Sequence, residues 1–251
     1  MTNNELLNLV ANFDTNGELF VKGSRNTIKL FTINGIRLNI KSFRKPGFIK
    51  KIIYKYFRIS KAKRSFEFGN KLLEKGFLTP KPIGYIEKFD VVGLKDSYFC
   101  CEHLEDSFTI GTVFLNKDFV NRDQILRGFA HFFFKMHEKG IEFLDNSLGN
   151  TLIKFENNQY NYYLVDLNRM KFDVVLNAFD RMKNLSRLTL DGSVLITIAN
   201  EYSILYPQCS EQELYGILEK LTMKFHLNLA RKRQLKKFRI FDLNNLDALN
   251  T

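Results

Sequence analysis

The chain has few residues that form disulfides or hold metals. Its 251 residues include three cysteines and four histidines. Cys100 and Cys101 are adjacent and Cys209 is distant, so there is neither a disulfide framework nor metal-ligand spacing. A reducing, cytoplasmic setting is the expectation. His103, His131, His137 and His226 are scattered without a zinc pattern, and no structural metal is expected. No run of eighteen apolar residues occurs, so no transmembrane helix is expected. Met1-Thr2-Asn3-Asn4-Glu5 places no basic region before its apolar residues and does not read as a secretory signal. Internal repeats, low-complexity segments and a G-x-G-x-x-G loop are also missing.

What is present is a hydrophobic content of 45%, enough for one large domain or two small lobes. The net charge of +11 and pI near 9.5 imply an anionic partner: nucleic acid, a phosphorylated substrate or an anionic membrane surface. The charge is concentrated. Residues 43–64 carry nine basic side chains and no acidic one, interleaved with aromatics and isoleucines. Such a stretch can lie in a membrane interface, line a nucleic-acid strand, or form a partly solvated connection into a helix. A second basic cluster, Ala230 to Arg239, reads as a solvated helix end or another anionic-surface contact.

Alternating or clustered apolar residues predict strands at Glu18–Lys22, Thr27–Ile33 and Ile36–Phe43, with turns at Gly23-Ser24-Arg25-Asn26 and Asn34-Gly35. A helix is expected from about Ser60 to Lys75, stopped by Gly76, Pro80 and Pro82. Strand-like runs follow at Val91–Leu94 and Tyr98–Glu102, after which the pattern turns helical. That places a lobe boundary near residue 103, dividing the chain into 1–103 and 104–251, with a hinge at Cys101-Glu102-His103-Leu104 whose groups, Glu102 included, would face an adenine. Further helices are expected at Ile125–His137, Asp173–Leu188, Asp191–Tyr206 and Glu211 to about Arg233, and a strand at Gln159–Val165.

The centre of the chain is the loop Asp145-Asn146-Ser147-Leu148-Gly149-Asn150. Asp followed five residues later by Asn is the catalytic-loop spacing of protein-kinase-like phosphotransferases. There a carboxylate meets the attacking hydroxyl while an amide oxygen holds magnesium against the phosphates. The same letters also write an ordinary polar turn, so partner residues decide. Lys41, on the strand Ile36–Phe43, is the candidate to contact the α- and β-phosphates. Glu67 is the candidate to pair with Lys41 and orient it. Asp166, just past a strand and about twenty residues beyond Asp145, is the candidate second metal ligand with Asn150.

With these sites in order, the chain resembles the lipopolysaccharide core kinases that phosphorylate Kdo or heptose, which are similar to RIO-type kinases. The residues that carry the resemblance are Ser60 to Glu67, Gly76 to Gly84, Asp145 to Asn150, Asp166 to Phe172 and the basic segment Arg181 to Leu188, within roughly residues 20–190. The resemblance implies an α+β, bilobal protein-kinase-like fold with an antiparallel N-terminal sheet, one main helix and a mostly helical C-terminal lobe. It implies ATP and Mg2+ as cofactors, and transfer of the γ-phosphate to a sugar hydroxyl of a lipid-linked anionic acceptor. It further implies that Lys41 contacts phosphates, Glu67 positions Lys41, Asp145 handles the acceptor proton, and Asn150 and Asp166 bind metal. Phe143 and Leu144 replace the His and Arg that protein kinases carry before the Asp, and no Ala-Pro-Glu follows Asp166, so loop phosphorylation and a protein-substrate platform are not expected. Ser147 stands where protein kinases often carry a lysine, and Arg169 or Lys171 would supply that charge.

The expected function is therefore a glycolipid kinase, peripheral on the cytoplasmic face of the inner membrane and contacting it through 43–64. The alternatives are a kinase of another small molecule or protein, or an inactive kinase-fold scaffold. Nucleic acid is not expected as a partner, because no recognition motif accompanies the charge.

Overall fold

The computed structural model describes residues 3–23 and 26–248, and the side chains of 4–23 and 26–234. Ser24 and Arg25 of the first expected turn, and the basic cluster beyond Gln234, lie outside the described side chains. The order of elements is α1 (Asn3–Ala11), β1 (Glu18–Lys22), β2 (Asn26–Ile33), β3 (Ile36–Phe43), α2 (Phe48–Tyr56), α3 (Lys61–Glu74), β4 (Pro82–Phe89), β5 (Leu94–Glu102), β6 (Phe108–Thr109), α4 (Ile110–Leu115), α5 (Arg122–Glu138), β7 (Glu142–Phe143), β8 (Thr151–Glu156), β9 (Gln159–Leu164), β10 (Met170–Lys171), α6 (Ala178–Leu185), α7 (Gly192–Leu205) and α8 (Glu211–Ala248).

Two compact units result. The first comprises Met1–Ile110, Phe143–Asp145 and Gly149–Lys171; the second comprises Gly111–Glu142, Asn146–Leu148 and Phe172–Thr251. The boundary expected at residue 103 falls inside the first unit, which also takes back β8 and β9. The reason is pairing: β6 bonds to β8 (Phe108 opposite Ile153), and β8 to β9.

In the first unit an antiparallel sheet runs in the order β1-β2-β3-β5-β4. The β2–β3 turn is Asn34-Gly35, both at positive φ (50° and 78°) with Ile33 opposite Ile36, as a two-residue type I′ hairpin demands. Successive side chains of a strand point to opposite faces. Leu38 and Ile40 of β3 and Tyr98 and Cys100 of β5 thus face a core closed by Leu6 and Val10 of α1 and by Phe13 just beyond it. Each fully buried aliphatic side chain contributes about 1.5–3 kcal/mol. Arg37, Asn39 and Lys41, together with Phe99 and Cys101, face the other way, into a cavity.

Two local expectations are corrected here. Val91–Leu94 is not a strand: Asp90 Oδ1 accepts from the backbone N–H of Val92 and of Gly93, both at 3.0 Å. This Asx-type turn makes Asp90–Gly93 the tip of the β4–β5 hairpin, with Val91 95% exposed. The stretch 43–64 contains a separate helix, α2, ahead of α3, whose N-cap Ser60 accepts from Lys63 N at 3.0 Å. Helix α1 carried no sequence expectation.

The second unit is helical. Ile125, Phe129, Phe133 and Met136 on α5 and Val194, Leu195, Ile198 and Tyr202 on α7 recur at helical spacing and are buried. Leu214 and Leu218 of α8 complete the core. The helix expected over Asp173–Leu188 contracts to α6, because Asn177 caps it by accepting from Asp180 N at 2.9 Å. Among the described residues no helix is long and apolar enough to cross a membrane.

Candidate active site

The cavity of the first unit holds about 930 Å3, within the range of ligand sites. Its apolar lining is Ile28, Phe99, Cys101, Leu152, Val165 and Leu167; the chain from Glu102 to Ser107 also borders it, as do Lys41, Ser65, Asn150 and Asp166. β1 covers part of it, with Phe20 edge-on to the His103 ring at 5.2 Å. Arg37 ties that rim by ion pairs to Glu18 (2.7 Å) and Glu105 (3.5 Å). Burial, with Arg37 adding to it, pushes the His103 pKa below its ordinary value.

The hinge residues reach this wall because β5 ends there. Glu102 N–H donates to the Lys81 carbonyl (2.9 Å) and His103 N–H to that of Arg37 (2.8 Å). The Glu102 carboxylate lies 3.4 Å from Lys81 Nζ. Burial pushes the neighbouring Cys100 thiol up to about 12 and Cys101 further still, which favours their protonated forms.

The loops around Asp145 and Asp166 are laced together by main chain. Val165 N–H donates to the Asn150 carbonyl (3.0 Å), and Leu144 N–H to the Arg169 carbonyl (3.1 Å). The Asn150 amide N–H2 donates to the Asp145 carbonyl at 2.8 Å, which turns its oxygen outward as an acceptor. Thr79 Oγ1 fixes the end of β9 by donating to the Leu164 carbonyl at 2.8 Å. Asp166 itself is in the left-handed region, φ 62°, a conformation that Asp tolerates better than most residues. Its Oδ1 accepts from Asn168 Nδ2 at 2.6 Å and lies 2.7 Å from Lys41 Nζ.

Lys41, Asn150 and Asp166 thus share one cavity wall. Asp145 is held beside them through Asn150, and Arg169 Nη1 donates to Asp145 Oδ1 at 2.8 Å. Lys171 is exposed at the end of β10, and Ser147 is exposed in the second unit. The expected Lys41–Glu67 pair is not formed. Glu67 faces Lys63 on its own helix, at 3.8 Å, and is 44% exposed. The cause is helical phase: Ala62, Ser65, Gly69 and Leu72 mark the inward face of α3, and Glu67 lies about 200° from Ser65 at 100° per residue. Ser65 takes the position facing the cavity and donates to the Lys61 carbonyl at 2.9 Å, so the carboxylate partner of Lys41 is Asp166.

Sequence reasoning passed over Ser65 and Asn146, and read Asn168 only as replacing the Gly that protein kinases carry two residues after the metal-binding Asp. Asn146 is 1% exposed, and its amide donates to the Asn184 carbonyl at 3.1 Å. Asn184 Oδ1 in turn receives His137 Nε2–H at 3.1 Å, and the Tyr202 hydroxyl bonds His137 Nδ1 at 2.7 Å. This buried network anchors the stretch Asn146–Leu148 within the second unit. Its signal was a polar residue in each of three apolar helical patterns.

No group of three or more His, Cys, Asp or Glu that could hold a metal occurs among the described residues. The Asp166 carboxylate and Asn150 amide oxygen are nevertheless hard donors of the kind magnesium takes when phosphates complete its shell, so the residues present fit a nucleotide-borne magnesium ion.

No protein-family profile matches the chain, and no curated protein matches it. Solved structures do. A structure of WaaP in complex with acyl carrier protein aligns with a TM-score of 0.59 at 15% identity, covering 87% of this chain and 91% of that one. A MAP kinase of Leishmania major (TM-score 0.44, 15% identity, 85% and 64% covered) and the Rio2 kinase of Chaetomium thermophilum (0.49, 13%, 92% and 71%) align less well and add nothing to the assignment. At such identity the likeness is one of fold: the chain has the α+β, protein-kinase-like fold of the WaaP structure.

Proposed function

We propose that the protein is a magnesium- and ATP-dependent phosphotransferase acting on a hydroxyl of an anionic, lipid-linked sugar of the lipopolysaccharide inner core type, at the cytoplasmic membrane face. The observation that carries this is the convergence of Lys41, Asn150 and Asp166 on one cavity wall, with Asp145 tied to Asn150. The apolar strip from Ile28 to Leu152 suits a purine, and the ends of β3 and β9 suit its phosphates. Magnesium, when bound, would neutralise charge developing on the phosphates. Asp166 and Asn150 would hold it, Lys41 would exchange its contact with Asp166 for phosphate oxygens, and Asp145 would accept or orient the acceptor proton. In such chemistry positioning and charge neutralisation supply most of the acceleration. The acidic sugar acceptor is the part supported by charge, +11 overall, and by the WaaP fold.

The test is transfer of labelled γ-phosphate from magnesium ATP to core-truncated lipopolysaccharide, with Asp145→Ala and Asp166→Asn alongside. Each substitution is expected to lower turnover by at least about 10²-fold. Asp145→Ala should keep magnesium-dependent nucleotide binding, and Asp166→Asn should lose it. Nucleotide binding without transfer to any hydroxyl acceptor would replace this reading by that of an inactive scaffold.

A further inference from the structure

Helix α2 is amphipathic and docked in reverse. Its polar side faces the protein: Lys51 pairs with Asp90 in the β4–β5 turn, and Lys55 Nζ lies 3.5 Å from the Val91 carbonyl. The helix backbone rests directly on that turn, since a Cβ at Gly93 would fall 2.3 Å from the Lys51 carbonyl oxygen. None of its residues is buried. Phe48 is 68%, Ile49 73% and Tyr56 66% exposed, and Phe57, just past the helix, 83%. A helix of a soluble domain turns its apolar stripe to the core; here Ile52 alone of that stripe is half-buried, while Phe48, Ile49, Ile53 and Tyr56 are exposed, as is Val91 at the turn.

We propose that α2, Phe57 and the β4–β5 tip form a foot that inserts shallowly into the interface of an anionic lipid bilayer. Arg44, Lys45, Lys50 and Arg58 in and beside α2 are exposed, Lys45 lying 3.5 Å from Asp96, and no acid lies between 43 and 64. Aromatic and isoleucine side chains entering the acyl boundary while cations meet lipid phosphates is the chemistry of an interfacial helix. Nine residues are too few to span a bilayer. A single-stranded nucleic acid would want a groove, whereas no residue of α2 is buried and none lines a described cavity. The foot is separate from the phosphotransfer reading, because it shares no residue with the cavity.

The chain has no tryptophan, so Ile49→Trp supplies a sole reporter. Added to vesicles of phosphatidylcholine with phosphatidylglycerol, which carry no sugar acceptor, the full chain is expected to co-sediment, less so as salt rises. Ile49→Trp emission should shift to the blue, while Val175→Trp, at a position 99% exposed in the second unit, should not shift. The triple variant F48S/I49S/F57S, with thermal unfolding checked as unchanged, should bind at least about tenfold more weakly. Unshifted Ile49→Trp emission, undiminished binding by the triple variant, equal binding to pure phosphatidylcholine, or preference for an oligonucleotide would each overturn the foot.

Discussion

At the scale of single residues, the two carboxylates of the proposed site are each matched by a cation of the chain itself: Asp166 by Lys41 and Asp145 by Arg169. The two cations and two carboxylates balance in formal charge. Under the proposed chemistry Arg169 moves from Asp145 to the transferring phosphoryl group. Exchanging Arg169 and Lys171 together for Ala should then lower kcat by about 10-fold or more while nucleotide affinity holds; steady-state kinetics with unchanged turnover would sink that role. Asp145, Asn150 and Asp166 were legible because a loop and a strand end leave few choices of position. Glu67 was misplaced because charge can be read from sequence but the phase of α3 cannot: burial of Ala62, Ser65 and Gly69 sets it, and that depends on what α3 packs against.

At the scale of elements, the hairpins divide in the same way. Asn34-Gly35 announced β2–β3 because few residues other than Asn, Asp and Gly tolerate its positive φ angles. The β4–β5 tip was hidden because Val91-Val92 has strand composition, and it is the Asp90 side chain, through its bonds to Val92 and Gly93, that bends the chain. The Lys51 partner holds the Asp90 carboxyl down at about 2. Gly93 is indispensable there for space rather than for φ. Gly93→Ala would thrust a methyl into the backbone of α2 and is expected to destabilise by about 1–3 kcal/mol. Urea unfolding would measure the loss, and exchange of α2 amides would show whether the helix lifts off first. A fully stable variant would mean that α2 is not seated on the turn.

At the scale of the whole molecule, the order of the longer strands and helices was legible, α1 and α2 apart, and their grouping was not. Strands at 18–43 and helices after 104 follow from periodicity, but β8 and β9 join the first unit through long-range pairing that no local pattern encodes. Acid stability of the fold is expected to reflect the second unit. Burial holds His137 down at about 4 from an ordinary 6.5, with Arg181 adding to it and the Asn184 bond opposing. Since Nε2 donates to Asn184, Nδ1 must accept from Tyr202, and a second ring proton would have to break that bond. The unfolded chain binds the proton first, so stability is full above about pH 6.5 and falls as pH drops towards 4, by on the order of 3 kcal/mol. His137→Gln should flatten that slope in denaturant titrations run across the window. The alternation of β3 reaches further, into how such a chain can change by insertion. Ile40 seals a core while its neighbour Lys41 faces the cavity, so one residue added inside β3 between the two would turn Lys41 and all that follows it in the strand to the opposite face. The turn at Asn34-Gly35 can lengthen by a longer loop, whereas an odd insertion inside the strand forfeits folding and chemistry as a single lesion.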